Sequence, residues 1–420
     1  MPIVGQDSTL VHTEIFIMSI LFKPISLGSL QLENRFVHSA TYEAMATEAG
    51  KVTSDLVERY RSLARGQVGL VIPGYLYVHP LGRSMKYQTG IHSDDMIPGL
   101  RKLVEAVHQE GGRIAFQLAH AGRQTKSAII GQTPLGPSRK GRDPFFLVRP
   151  QKMTEAQICE VIQAFAAAAG RAVVAGVDGL QIHATHGYLV NQFLSPFFND
   201  RADDWGGSEE NRFRFLREII LAIRKVVPAG MPILVKLNVD EHTPKTGITP
   251  PLAVKYARWL CELGIDGLEL SSGTLAYSFM NVYWGSVPVS ALARTQPWYT
   301  RPLAHVMLRQ LTGRFDDLEG FNLEATRSVK SAVKNVPVFA VGGLRRVSHM
   351  EGILSQGYAD LISMSRPFVR EPSLVKKIRE GRTEAASCSS CNMCLAAIAN
   401  DIPIRCYKNG LPHVDNNLNP

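Results

Sequence analysis

Apolar and polar positions along this chain fall into two alternating rhythms. Short apolar or β-branched runs, bounded by Gly, Pro, Asn or Asp, read as buried strands at 35–39, 69–74, 113–118, 179–183, 233–238, 267–271, 336–341 and 360–364. Between them lie longer stretches with apolar residues at helical spacing. Thr154-Glu-Ala-Gln157 has capping-box spacing and opens an Ala-rich amphipathic run to about Ala175. Ser208-Glu-Glu starts a second helix, which carries Leu216, Ile219, Ile220 and Ile223 and stops before Pro228. A third runs from Glu319 to Val333. Strands alternating with helices imply a parallel sheet with helical crossovers, and eight is the number that a closed (β/α)8 TIM barrel requires.

Two stretches break the alternation. Residues 124–150 are rich in Gly, Pro and Arg, and residues 272–316 hold Tyr277, Tyr283, Trp284, Trp298 and Tyr299. Loops of this length are usually lids or binding loops. Their aromatics would flank a planar substrate or simply pack the loop. The chain divides into an N-terminal extension without an ordered element (1–20), the barrel (21–380) and a short Cys-rich C-terminal extension (381–420).

The bulk numbers narrow the class. Over 420 residues, 45% hydrophobic and 20% charged, the composition is that of an ordinary soluble globular protein. The net charge of +9 is dispersed, with no basic tract, so a phosphate-bearing cofactor and an acidic substrate or nucleotide explain it better than nucleic acid does. No apolar run is expected to span a bilayer, and Ile15-Phe-Ile-Met-Ser-Ile20 lacks the basic start of a secretory signal. A cytoplasmic location without a membrane partner is the expectation. Cys159 and Cys261 read as isolated buried thiols in helical patterns, whereas Cys388, Cys391, Cys394 and Cys406 cluster near the C-terminus.

The candidate chemistry sits just past the strands, where such barrels build their sites. Ser39, Ala40 and Thr41 follow the first strand, Gly74 the second, and Gln117 ends the third. His183 and His186, with Tyr188, close the fourth. Lys236 lies in the fifth, Ser271 follows the sixth, Gly342 and Gly343 the seventh, and Ser365 and Arg366 the eighth. Small residues admit a ligand to the backbone, while Gln, Lys and Arg supply polar contacts. Glycines after the seventh strand and an Arg after the eighth suit a phosphate. Two imidazoles can hold a carbonyl oxygen, and a phenol nearby can deliver a proton. His-x-x-His could also ligate a metal, but no third His or carboxylate stands at matching local spacing.

Several segments together resemble the old yellow enzyme family of flavin oxidoreductases. They are Leu21-Phe-Lys-Pro-Ile25, Leu32-Glu-Asn-Arg35, Phe116-Gln-Leu-Ala-His-Ala-Gly-Arg123, His183-Ala-Thr-His186-Gly-Tyr188, Asn191-Gln-Phe-Leu-Ser-Pro196, Asn199-Asp-Arg201 and Trp205-Gly-Gly-Ser-Glu-Glu-Asn-Arg212. The resemblance runs from about Leu21 to Pro372. It implies non-covalent FMN, NAD(P)H as reductant, and hydride transfer to activated alkenes such as enones, enoates or enoyl thioesters. His183 and His186 would hold the substrate oxygen and Tyr188 would be the proton donor. Ser39, Ala40, Thr41, Gly74, Gln117 and Lys236 would contact the flavin, and Gly342, Gly343, Ser365 and Arg366 its phosphate. Tyr42 stands where relatives often carry a small Cys or Thr.

The cysteine spacing resembles the [4Fe–4S] segment of 2,4-dienoyl-CoA reductase and trimethylamine dehydrogenase. A soft thiolate set of this kind selects an iron–sulfur cluster or zinc, and a reduced remnant without metal is the third reading. Two rival functions follow: an amine dehydrogenase or demethylase passing electrons through the cluster, and a non-catalytic flavin-binding redox sensor. A small-molecule substrate is expected, with a homo-oligomer or an external electron-transfer protein as further partner.

Overall fold

The computed structural model describes residues 19–315 and 318–412, so the expected extension at 1–20 falls almost wholly outside the described residues. Eight parallel strands succeed one another around a ring: β1 (Phe36–His38), β2 (Leu70–Val71), β3 (Ala115–Ala119), β4 (Gly179–Ala184), β5 (Ile233–Asp240), β6 (Gly267–Ser272), β7 (Val338–Val341) and β8 (Leu361–Met364). Neighbours pair in parallel from β3 to β8, then β8 with β1 and β1 with β2. Between β2 and β3 the ring is bridged at Val71 and Ile114, where the Val71 N–H donates to the Arg113 carbonyl at 2.8 Å. The expected (β/α)8 TIM barrel is what forms.

One strand departs from its expected span. The run 69–74 yields only Leu70–Val71, because Pro73 has no N–H to offer a ladder. The chain resumes as Leu76–Tyr77, paired with β3. Between these halves Gly74 and Tyr75 turn out at the rim.

Side-chain alternation stacks the barrel interior into layers. At the floor, Val37, Leu70, Ala115, Leu234, Phe339 and Leu361 pack together, closed from below by the hairpin Ile25–Leu27 and Leu30–Leu32. Gly267 leaves the space that Leu234 and Phe339 fill, since a Cβ there would sit 2.9 Å from the Leu234 side chain. Each large apolar side chain buried this way is worth about 1.5–3 kcal/mol. Two residues further along the strands the interior turns polar, with Ser39, Gln117, Gln181, Lys236, Glu269 and Ser363 all buried. Two further still, His183 and Ser271 reach the C-terminal mouth.

The helices cover the outside. Thr154 caps α1 (Glu155–Ala175) with the full capping box to Gln157, and Gly176 ends it in the left-handed region at φ +91°. Contrary to expectation, α1 is long and apolar enough to cross a membrane by length and composition. Here it lies on the barrel, burying Ile158, Val161, Ile162 and Phe165. Cys159, expected to be buried, is exposed on this helix, and Cys261 is half-buried. Ser208 caps α2 (Glu209–Arg224), and the helix expected over 319–333 forms as α3 (Leu323–Ala332). Among the described residues, the stretch 272–315 holds three short helices, Phe279–Val282, Val289–Ala293 and Arg301–Arg309.

After α4 (Leu374–Arg379) the cysteine-bearing segment folds back over the mouth. Its helix α5 (Met393–Ala399) buries Leu395 and Ile398 against Tyr42, Ala44 and Val369. The extension is therefore packed into the site end of the barrel.

Candidate active site

A pocket of about 950 Å³ opens at the C-terminal mouth of the strands. Ser39, Ala40, Thr41, His183, His186, Tyr188, Lys236, Ser271, Gly342, Gly343, Ser365 and Arg366 all line it. Two expected contacts lie elsewhere. The Gln117 amide is used inside the barrel, donating to Gln181 Oε1 at 2.6 Å. The Gly74 N–H turns away to Glu43 Oε1, at 2.7 Å. Sequence position placed both at the rim, but Gln181 on β4 and Glu43 in the loop after β1 decide where they point.

The turn after β4 builds one wall. His186 adopts φ +61° and Gly187 φ +80°, left-handed conformations that reverse the chain within two residues. Gly187 tolerates this without strain, and its missing Cβ also leaves room for the Gln124 amide. His186 Nε2 meets Ser271 Oγ at 2.8 Å, and His183 Nδ1 meets Thr185 Oγ1 at 3.2 Å. Each ring thus has one nitrogen engaged, and His183 Nε2 and His186 Nδ1 remain for a ligand. The two rings lie edge-on, 5.3 Å apart, and His183 is 4.8 Å from the Tyr188 ring. Burial, then the nearby Lys236 charge, holds both imidazoles well below the usual histidine range. They are neutral donors at physiological pH. Burial, then Tyr75, pushes the Tyr188 phenol well above its ordinary value.

Beneath this wall the polar layer forms one network. Lys236 Nζ donates to Ser39 Oγ at 2.8 Å and lies 3.2 Å from Glu269 Oε1. Glu269 also accepts from Ser39, Gln181 and Ser363 at 2.6–2.9 Å. Burial opposes its charge, but Lys236 and these donors outweigh burial and keep the carboxyl below its ordinary range. The sequence reading found the cation and missed its counter-ion. A lone carboxylate inside the apolar run Gly267–Ser272, registered opposite Lys236, was the available signal.

Other missed residues come from loops distant in sequence. Tyr75 hydrogen-bonds Tyr188 between hydroxyls at 2.8 Å, and Tyr42, Tyr283, Leu395 and Ile398 complete the walls.

The four clustered cysteines line a second pocket of about 350 Å³. Arg366 lines both pockets and donates to the Trp284 carbonyl and to Asn392 Oδ1, each at 2.6 Å. Arg370 points at Cys406 Sγ, 3.7 Å away. Burial pushes the Cys394 thiol up to about 12, against the pull of Arg366. Among the described residues, no three His, Cys, Asp or Glu side chains are drawn close enough to form a closed metal site.

A barrel whose strand ends carry paired imidazoles, a phenol and a buried cation is matched by one family model over residues 20–289 and 301–385. The chain belongs to the NADH:flavin oxidoreductase / NADH oxidase family. Membership bears out the old yellow enzyme resemblance of the sequence. This family member is 36% identical over 357 residues to an NADPH dehydrogenase of Geobacillus sp. (strain WCH70), covering 84% of this chain and 92% of the relative. It is 33% identical over 394 residues to an NADH oxidase of Thermoanaerobacter brockii, covering 93% of this chain and 56% of that protein. A solved structure of 2-naphthoyl-CoA reductase with 2-naphthoyl-CoA superposes with a TM-score of 0.79 at 27% identity, over 92% of this chain and 56% of that one. The chain thus spans about half the length of these two relatives.

Proposed function

We propose that the protein is an FMN-dependent NAD(P)H oxidoreductase that reduces activated C=C bonds in enones, enoates or enoyl thioesters. The observation that carries this reading is the wall of His183, His186 and Tyr188 facing the pocket at the strand ends, with the buried Lys236 at its base. Lys236, Ser39, Ala40 and Thr41 would border the flavin ring. Gly342 and Gly343, in left-handed or extended-positive backbone that exposes the chain, would cradle the phosphate together with Ser365 and Arg366. When bound, FMN supplies two-electron chemistry, accepting hydride from NAD(P)H and delivering it to the substrate's β-carbon.

The chain's own groups supply the rest. His183 Nε2 and His186 Nδ1 donate to the substrate carbonyl oxygen and stabilise the enolate charge that develops there. Their neutrality matters, because a neutral imidazole carries its N–H donor without adding positive charge beside Lys236. Tyr188 gives a proton to the α-carbon. Replacing both histidines (His183→Ala with His186→Ala) should lower 2-cyclohexenone reduction by about 100-fold or more, the cost of losing oxyanion donors. Stopped-flow measurement of flavin reoxidation checks this, and undiminished enone turnover in that variant would refute the assignment.

The cysteine pocket extends the proposal. Four thiols line one small cavity beside the Arg366 and Arg370 guanidiniums, soft donors that would have to draw closer together to close on a metal. Cys388, Cys391, Cys394 and Cys406 would be its ligands, as an iron–sulfur cluster or as zinc.

A further inference from the structure

We infer that Tyr75 positions Tyr188 as the proton donor and holds the negative charge left on its oxygen, a role that rests on the ene-reduction reading above. Tyr188 Oη donates to Tyr75 Oη at 2.8 Å, and the two rings lie 5.1 Å apart. Tyr75 also packs 5.4 Å from the His183 ring, so it spans the proton donor and one carbonyl-holding imidazole. It is held at both ends. Ser84 Oγ has one proton and two acceptors within reach, the Tyr75 hydroxyl at 3.3 Å and Gln88 Oε1 at 3.1 Å. The Gln88 amide in turn donates to the Tyr75 carbonyl at 2.9 Å. Ser84 and Gln88 are buried, so this clamp is not shared with bulk water.

The need for such a residue follows from the surroundings of Tyr188. The titratable groups facing it are Tyr75, Tyr283 and His183, and none of them is a cation at neutral pH. Burial first, and then Tyr75 in the resting arrangement, make the phenol a poor acid. With Gln88 Oε1 supplied by the Ser84 N–H, the Ser84 hydroxyl is free to donate to Tyr75, and when it does the Tyr75 oxygen accepts from both Tyr188 and Ser84 and keeps its own proton uncommitted. As hydride reaches the β-carbon, the α-carbon takes the proton from Tyr188 Oη. The O–H electron pair stays behind as a phenolate, and the alkene π pair becomes the new C–H bond. Tyr75 then rotates its free proton onto that phenolate, giving a charge-assisted hydrogen bond from the hydroxyl that already touches it. Water restores the proton of Tyr188 before the next turnover, and NAD(P)H restores the reducing equivalents.

The test uses the full-length, FMN-loaded protein and Tyr75→Phe, which keeps the ring and removes only the hydroxyl. Three rates are read: flavin reduction by NAD(P)H, reoxidation by ferricyanide, and reoxidation by 2-cyclohexenone. Ferricyanide takes electrons without any carbon being protonated. Expected is a fall of about tenfold to 100-fold in the enone step, the share of one hydrogen bond to a charged group. Its solvent deuterium isotope effect should rise, while the other two rates stay within about twofold. Ser84→Ala should give a smaller loss in the same direction, and it carries the test alone if the Tyr75 variant does not fold. An unchanged enone step, or an equal fall in all three rates, overturns the role of Tyr75. Wild-type protein that reduces ferricyanide but no enone refutes the ene-reduction reading itself, and this role with it.

Discussion

Lys236 and Glu269 illustrate how one residue's chemistry depends on another that the chain brings from a different strand. Both are buried, and their contact at 3.2 Å is what makes the burial of either tolerable. An ion pair in such a place contributes little net stability over an apolar pair, yet removing one partner leaves an uncompensated charge. Glu269→Gln should therefore destabilise the apoprotein by about 3–5 kcal/mol, measured by urea unfolding. Replacing both residues by Met should cost less than that single change. If the double variant is as unstable as the sum of the two single ones, the residues do not act as a pair. The pairing also tempers the site, because a Lys236 charge offset by Glu269 attracts an electron-rich ring edge less than a lone cation would.

Strands bring histidines into places where they cannot charge. His38 at the end of β1 and His120 just after β3 are both buried, and each has its Nε2 without a hydrogen-bond partner. Burial first, then Arg59 for His38 and His79 for His120, pulls both down to about 3. In the unfolded chain they titrate near 6.5. Between about 3 and 6.5 the unfolded chain thus binds more protons, so this contribution is complete above 6.5 and is lost as pH falls. Each group withdraws up to about 1.4 kcal/mol per pH unit across that window. Glu241 acts in the opposite sense, since burial lifts it to about 7 and its contribution is lost as pH rises from about 4.5. The clean measurement is accordingly a difference: between pH 7.5 and 5.5 the unfolding midpoint of His120→Gln should drop less than that of the wild type. An equal drop would show that His120 charges inside the fold. The helices were more legible than the strand ends, because caps are local. Thr154, Gln157 and Gly176 announce α1 within a few residues, whereas Pro73 split β2 in a way that the apolar run 69–74 did not reveal.

Across the whole molecule, the C-terminal segment has two faces. Leu395 and Ile398 on α5 close the main pocket, while the cysteines before and after them line the second one. Protein purified anaerobically should carry metal at Cys388, Cys391, Cys394 and Cys406, with iron and acid-labile sulfide marking a cluster and zinc without sulfide marking a structural site. Cys391→Ser with Cys394→Ser should abolish that metal, and metal-free wild-type protein by elemental analysis would refute the site. The sequence by itself determined the number of strands, their order and the residues at their ends, because alternation of apolar runs with capped helices is a local record of what must be buried. It also determined the His183–Tyr188 wall, whose members lie within six residues and move together. Only the tertiary structure decided that Gln117 serves Gln181, that Glu269 answers Lys236, and that Tyr75 reaches Tyr188 across 113 positions. Those pairings depend on which strands become neighbours and how they register, and spacing along the chain does not encode a distance between loops.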